Sequence, residues 1–159
     1  MDTERRVRTV GFGGFMSESR AALPRYYWVI AVVALLWNLI GVAAYVAQVT
    51  MTEAAIHAMP LEQQALYADV PVWATSAYAI AVTAGTIGCL LLLLRNAWAV
   101  PAFLVSLAGV LVQMYHAFVM AGAYGVLGPK SIVMPTLIIA IGVALIWFSR
   151  IAKEKRWIS

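Results

Sequence analysis

Four apolar blocks of about 20 residues each govern what this chain can fold into. A helix rising about 1.5 Å per residue crosses a hydrocarbon core about 30 Å thick in that length. The blocks run from about Tyr26 to Val49, Val72 to Leu94, Trp98 to Met120 and Ile132 to Ile151. Of 159 residues, 64% are hydrophobic and 11% charged, against about 45–50% and about 25% in soluble domains. A water-soluble fold of this size has nowhere to hide that surface. The expected fold is therefore all-α and integral to a membrane. It is an antiparallel four-helix transmembrane bundle over residues 26–151, between a basic arm (residues 1–25) and a basic tail (residues 152–159), with short amphipathic helices between the first two spans.

The basic residues orient the spans. Arg5, Arg6, Arg8, Arg20 and Arg25 precede the first block, Arg95 joins the second to the third, and Arg150, Lys153, Lys155 and Arg156 close the chain; the other two connections share only Lys130. The positive-inside rule then places both termini in the cytoplasm. Tyr26, Tyr27, Trp28, Trp98, Trp147 and Trp157 fall at the inner interface, and Tyr67, Trp73 and Tyr124 at the outer one. Trp37 falls mid-span and reads as core or lipid-facing bulk. Arg150, Lys153, Lys155 and Arg156 suit anionic lipid headgroups, each charge worth about 1 kcal/mol. The formal charge of +4 flanks the blocks instead of striping a folded face, so the bilayer, not nucleic acid, is the expected partner. The first block exceeds the 7–15 apolar residues of a signal peptide.

Between the first two blocks, Met51 to Pro71 holds Glu53, Glu62 and Asp69 and no Lys or Arg. Thr52 suits an N-cap, Pro60 the start of a second short helix, and Pro71 its end. Leu61, Ala65 and Leu66 would face the bundle or headgroups, leaving Glu62, Gln63 and Asp69 wet.

Polar residues within spans are costly unless they face protein or water, so their spacing reports packed faces. Asn38, Gly41, Tyr45 and Gln48 form one stripe, and Ser106, Gly109, Gln113 and His116 another. Both helices run from inside to outside, so Tyr45, Gln48, Gln113 and His116 reach similar depth and predict a shared outward-facing polar pocket. Leu39-x-Gly41-Val42 and Leu107-x-Gly109-Val110 fit either a duplicated hairpin or chance. Ala77, Ala81, Gly85 and Cys89 form a small-residue ridge that admits a close neighbour, and Ala140 with Ala144 a shorter one. His116 fits a proton relay, ligand contact or metal ligand, and equally an interhelical hydrogen bond. Asn38 fits a pathway lining or a register-fixing amide.

Several chemistries find no support. Cys89 is the only cysteine, leaving no thiol pair. Glu53 and His57 lie four apart with no further ligand at metal spacing, and His57 is too far out to share a haem with His116. No block carries a carboxylate, and no phosphate loop, zinc motif or nucleophile–base set occurs. No cofactor and no catalysis are expected, a quinone-type site around His116 being the residual enzymatic reading. The leading expectation is a non-enzymatic accessory or assembly subunit of a membrane complex, or a homo-oligomeric membrane component. The alternative is a sugar-like small-solute transporter or binding protein using the outward polar pocket.

The segments WNLIGVAAYVAQ (Trp37 to Gln48), EQQALYADVPVW (Glu62 to Trp73), GCLLLLLRNAWAVPAFLVSLAGVLVQ (Gly88 to Gln113), Met134-Pro135 and WFSRIAKEKRW (Trp147 to Trp157) resemble a family of small bacterial four-span inner-membrane proteins of unknown function. Its members go by hypothetical protein or by a loose label of sugar transporter. The resemblance spans about Trp28 to Trp157; it implies the bacterial inner membrane, tilts toward transport and assigns no residue a role.

Overall fold

The computed structural model describes residues 23–159 except Asp69. Residues 1–22 of the basic arm, with Arg5, Arg6, Arg8 and Arg20, and Asp69, expected to be wet, thus lie outside the described residues. The chain forms α1 (Arg25–Val49), α2 (Glu53–His57), α3 (Leu61–Ala68), α4 (Val72–Leu93), α5 (Ala99–Tyr115), α6 (Ala123–Leu127) and α7 (Val133–Glu154), with no strand among the described residues. A π-helical turn, His116–Met120, continues α5, and a 3₁₀ turn, Pro129–Ile132, leads into α7. Among the described residues four helical stretches are long and apolar enough to cross a membrane: Arg25–Val49, Val72–Leu93, Ala99–Met120 and Pro129–Glu154. They fall on the four blocks within about three residues, which is the usual uncertainty of helix ends.

Local chemistry explains the breaks. Thr52 Oγ1 accepts the Ala55 N–H at 3.3 Å, capping α2. Gln64 Nε2 donates to the carbonyls of Met59 (2.8 Å) and His57 (3.3 Å), folding α3 back on α2. That fold turns Leu66 inward and leaves Leu61 83% exposed, so of the apolar residues on α3 only part faces protein. Gly128 takes φ 71 and ψ −170 between α6 and α7, a conformation that is essentially glycine-only.

Helix α4 lies between α1 and α5, and α5 packs in turn on α7. The register is antiparallel: Asn38 meets Cys89 and Tyr45 meets Tyr78 across α1 and α4, while Ser106 meets Ala81 and Gly88 meets Phe103 across α4 and α5. The small ridge makes this closeness possible: Ala77, Ala81, Gly85 and Cys89 are all buried. A methyl on Gly109 would sit 2.8 Å from the Ala77 carbonyl oxygen, so only glycine lets α5 lie against the α4 backbone. Gly41 has only an ordinary contact with Val82. The two glycines of the shared short text therefore do different work.

At the basic end, Tyr27 is fully buried and its hydroxyl donates to the Leu92 carbonyl. Its ring lies 5.7 Å from Phe148 and 6.0 Å from Trp157, joining α1 to α7. The last residues do not trail away as a wholly solvated tail. After α7 the chain turns back, the Ser159 N–H donates to Arg95 O (3.1 Å), the Ala97 N–H donates to Ser159 O (3.1 Å), and Arg95 Nε donates to Trp157 O (2.9 Å). The reason is apolar: Trp157 and Ile158 are 7% and 2% exposed, and the fold-back satisfies the backbone groups that burial would otherwise orphan. Two non-glycine residues, Arg95 (φ 59) and Arg156 (φ 55), take left-handed backbone to make the turns. Because Arg156 is exposed, Arg156→Val should be less stable than Arg156→Gly by about 1–2 kcal/mol, read from thermal or SDS unfolding midpoints.

Candidate functional site: two cavities sharing a glutamine neck

A cavity of about 340 Å³ lies among the four long helices, with lining residues from each. Its walls are mostly apolar; Asn38, Gln48, Tyr78, Ser106 and Gln113 supply the polar groups, and among the described residues no Asp, Glu, Lys or Arg lines it. A second cavity of about 170 Å³ lies at the loop end beneath α3 and α6, lined by Tyr67, Thr75 and His116 together with Gln48 and Gln113. The two glutamines thus belong to both.

Asn38 is held in place. Its Nδ2 donates to Ala34 O (2.9 Å) and to Cys89 Sγ (3.4 Å), and its Oδ1 occupies the space a side chain at Gly85 would need. Ser106 Oγ donates to Ala81 O at 2.7 Å and also lies where a methyl on Gly85 would go. α1, α4 and α5 therefore converge on Gly85, and two polar side chains reach the cavity wall with hydrogen bonds already made. Gln48 and Gln113 differ: among the described residues their amides make no side-chain hydrogen bond. No buried side-chain nitrogen or oxygen among the described residues lacks a partner, which is consistent with those amides being open to the cavities.

Of the residues predicted to share a pocket, Asn38, Gln48 and Gln113 line the larger cavity, and Gln48, Gln113 and His116 the smaller. Tyr45 lines neither; its ring packs edge-on to Tyr78, 5.3 Å away. His116 is 8% exposed and meets the Trp73 ring edge-on at 5.3 Å. It opens the π-helical turn, whose Ala121 N–H donates to His116 O at 2.9 Å, and π turns recur at functional sites. Trp37 lines the larger cavity. Among the described residues no three His, Cys, Asp or Glu side chains gather as a metal site.

Sequence reasoning missed the α7 wall, Met134, Ile138, Ile141 and Gly142, and Tyr78 on α4. The wall is apolar and carries no polar stripe to betray it. Arg150, Lys153, Lys155 and Arg156 are exposed at the basic end and line neither cavity, with Lys155 Nζ 4.9 Å from the Trp157 ring centroid. No family model, curated protein or solved structure matches the chain.

Proposed function

We propose that this is a four-span protein of the bacterial inner membrane, an antiparallel transmembrane bundle with both termini cytoplasmic, that binds a small molecule between its helices without transforming it. The observation carrying the binding reading is the cavity lined by all four long helices, with two uncommitted glutamine amides at its neck. Its volume falls within the range of about 300–1,000 Å³ for small-molecule sites. Mild extraction of the full chain followed by solvent extraction and mass spectrometry should release a small molecule in about equal amount. Ala44→Phe, which places a ring from an exposed position into the cavity mouth, should remove it; equal recovery from both proteins would overturn the reading.

The orientation rests on the partition of Lys and Arg. Cys89 is buried, so single added cysteines report cleanly. Glu62→Cys in intact cells should react with a membrane-impermeant maleimide and Lys153→Cys should not; the reverse pattern would invert the topology. Arg150, Lys153, Lys155 and Arg156 then sit at the cytoplasmic headgroups.

A second reading, an accessory subunit or homo-oligomer, is favoured by Ala140 and Ala144, which are exposed four apart on α7 and suit a close helix neighbour. Native mass measurement after gentle extraction separates the two, since a lone chain carrying a ligand fits only the first. The family resemblance through Trp37 to Gln48 and Gly88 to Gln113 adds a tilt toward solute handling.

A further inference from the structure

We infer that the two cavities form one site for an uncharged amphiphile, its hydrogen-bonding head at Gln48 and Gln113 and its apolar chain in the larger cavity. This rests on the binding reading above and names the ligand class. Four observations converge on it. First, polarity is graded: the smaller cavity has Tyr67, Thr75 and His116, the neck has two amides, and the larger cavity beyond is mostly apolar, its Asn38 and Ser106 already donating to Ala34 O, Cys89 Sγ and Ala81 O, with Tyr78 its other polar side chain. A ligand polar throughout would set most of its deeper hydroxyls against apolar wall, and one wholly apolar would leave the amides bare.

Second, among the described residues no Asp, Glu, Lys or Arg lines either cavity, so a charged head would lose its hydration with no counter-charge from them to replace it. Third, the larger cavity follows α5 from Gln113 to Phe103, about ten residues and so about 15 Å, the reach of a medium-length acyl chain. Fourth, the rim residues Ile40 and Ala44 on α1 and Met134 on α7 are exposed, and α1 and α7 meet chiefly at the far, basic end through Tyr27 and Phe148. The mouth therefore faces sideways, where a bilayer-spanning chain meets lipid tails, and an amphiphile enters without leaving the membrane.

Native mass spectrometry of the full chain in non-ionic detergent tests this with three probes: monomyristoylglycerol, the lysophosphatidic acid of the same chain, and lactose. The neutral glyceride should bind saturably, one per chain, and about tenfold or more tighter than its anionic counterpart. Gln48→Leu/Gln113→Leu should weaken it about tenfold, and Ala44→Phe should abolish saturable binding. Circular dichroism and unfolding midpoints close to wild type in both variants establish that the fold is intact. Equal binding of the anionic probe, or glyceride binding indifferent to both variants, would overturn the proposal. Lactose binding blocked by Ala44→Phe, with no saturable glyceride, would overturn the amphiphile while leaving the binding reading standing. No saturable binding of any probe would overturn the amphiphile, and the binding reading falls only if the solvent extract is also empty.

Discussion

Trp157→Ala lowers the unfolding free energy of the solubilised chain by about 3–5 kcal/mol, the range for removing a large buried aromatic side chain. The ring is buried and meets Tyr26 and Tyr27 edge-on, each at 6.0 Å between centroids. Removing it empties the space between the first turn of α1 and the end of α7, and it loosens the carbonyl that Arg95 Nε binds. Lys155→Ala takes away only a cation lying over that ring, and should cost about 0.5–1 kcal/mol. SDS titration followed by circular dichroism checks both; an unchanged midpoint for Trp157→Ala would mean that the last residues are not docked.

Gly109→Val forces α4 and α5 apart. Its first added carbon would lie 2.8 Å from Ala77 O, 3.0 Å from Ala81 N and 3.1 Å from Ala81 Cα. All three are backbone atoms, which cannot swing aside as a side chain can, so the helices must separate. The cost should reach the top of the overpacking range of about 1–3 kcal/mol. Gly85→Ala meets instead the side chains of Asn38 and Ser106, which can rotate; the loss is then one or two hydrogen bonds, about 1 kcal/mol each. An unfolding series in which Gly85→Ala proved the worse would contradict the α4–α5 register.

The helices were legible because residue type sets them: hydropathy gives the four long apolar helices, a side-chain hydroxyl the Thr52 cap, and proline the break before α4 at Pro71. The proposed direction of the termini rests on the partition of Lys and Arg. The site was half legible. Asn38 and Tyr45 lie seven apart, and an α-helix drifts only about 20° over that interval, so both point toward α4 and its Cys89 and Tyr78. Gly41 and Gln48 lie further round the helix and reach the cavity, whose wall Asn38 also joins while Tyr45 does not. A stripe of polar residues is thus wider than a site, and its edges belong to different neighbours. The α7 wall was silent because apolar residues facing a cavity and facing lipid look alike in sequence. The fold-back of the C-terminus was silent because its turns use arginine, not glycine, in left-handed backbone.

A π turn spreads one more residue around the helix than an α turn does, and His116–Met120 is such a surplus. Deleting a single residue there, for example Val119, would leave Ala121 four residues after His116, so the Ala121 N–H bond to His116 O would close an ordinary α turn and the residues beyond would keep their phase. Ala121 and Ala123, which line the loop-end cavity, would go on facing it. The π turn thus holds one residue more than the cavity wall needs, and a length change of one is absorbed here instead of being passed on to the wall.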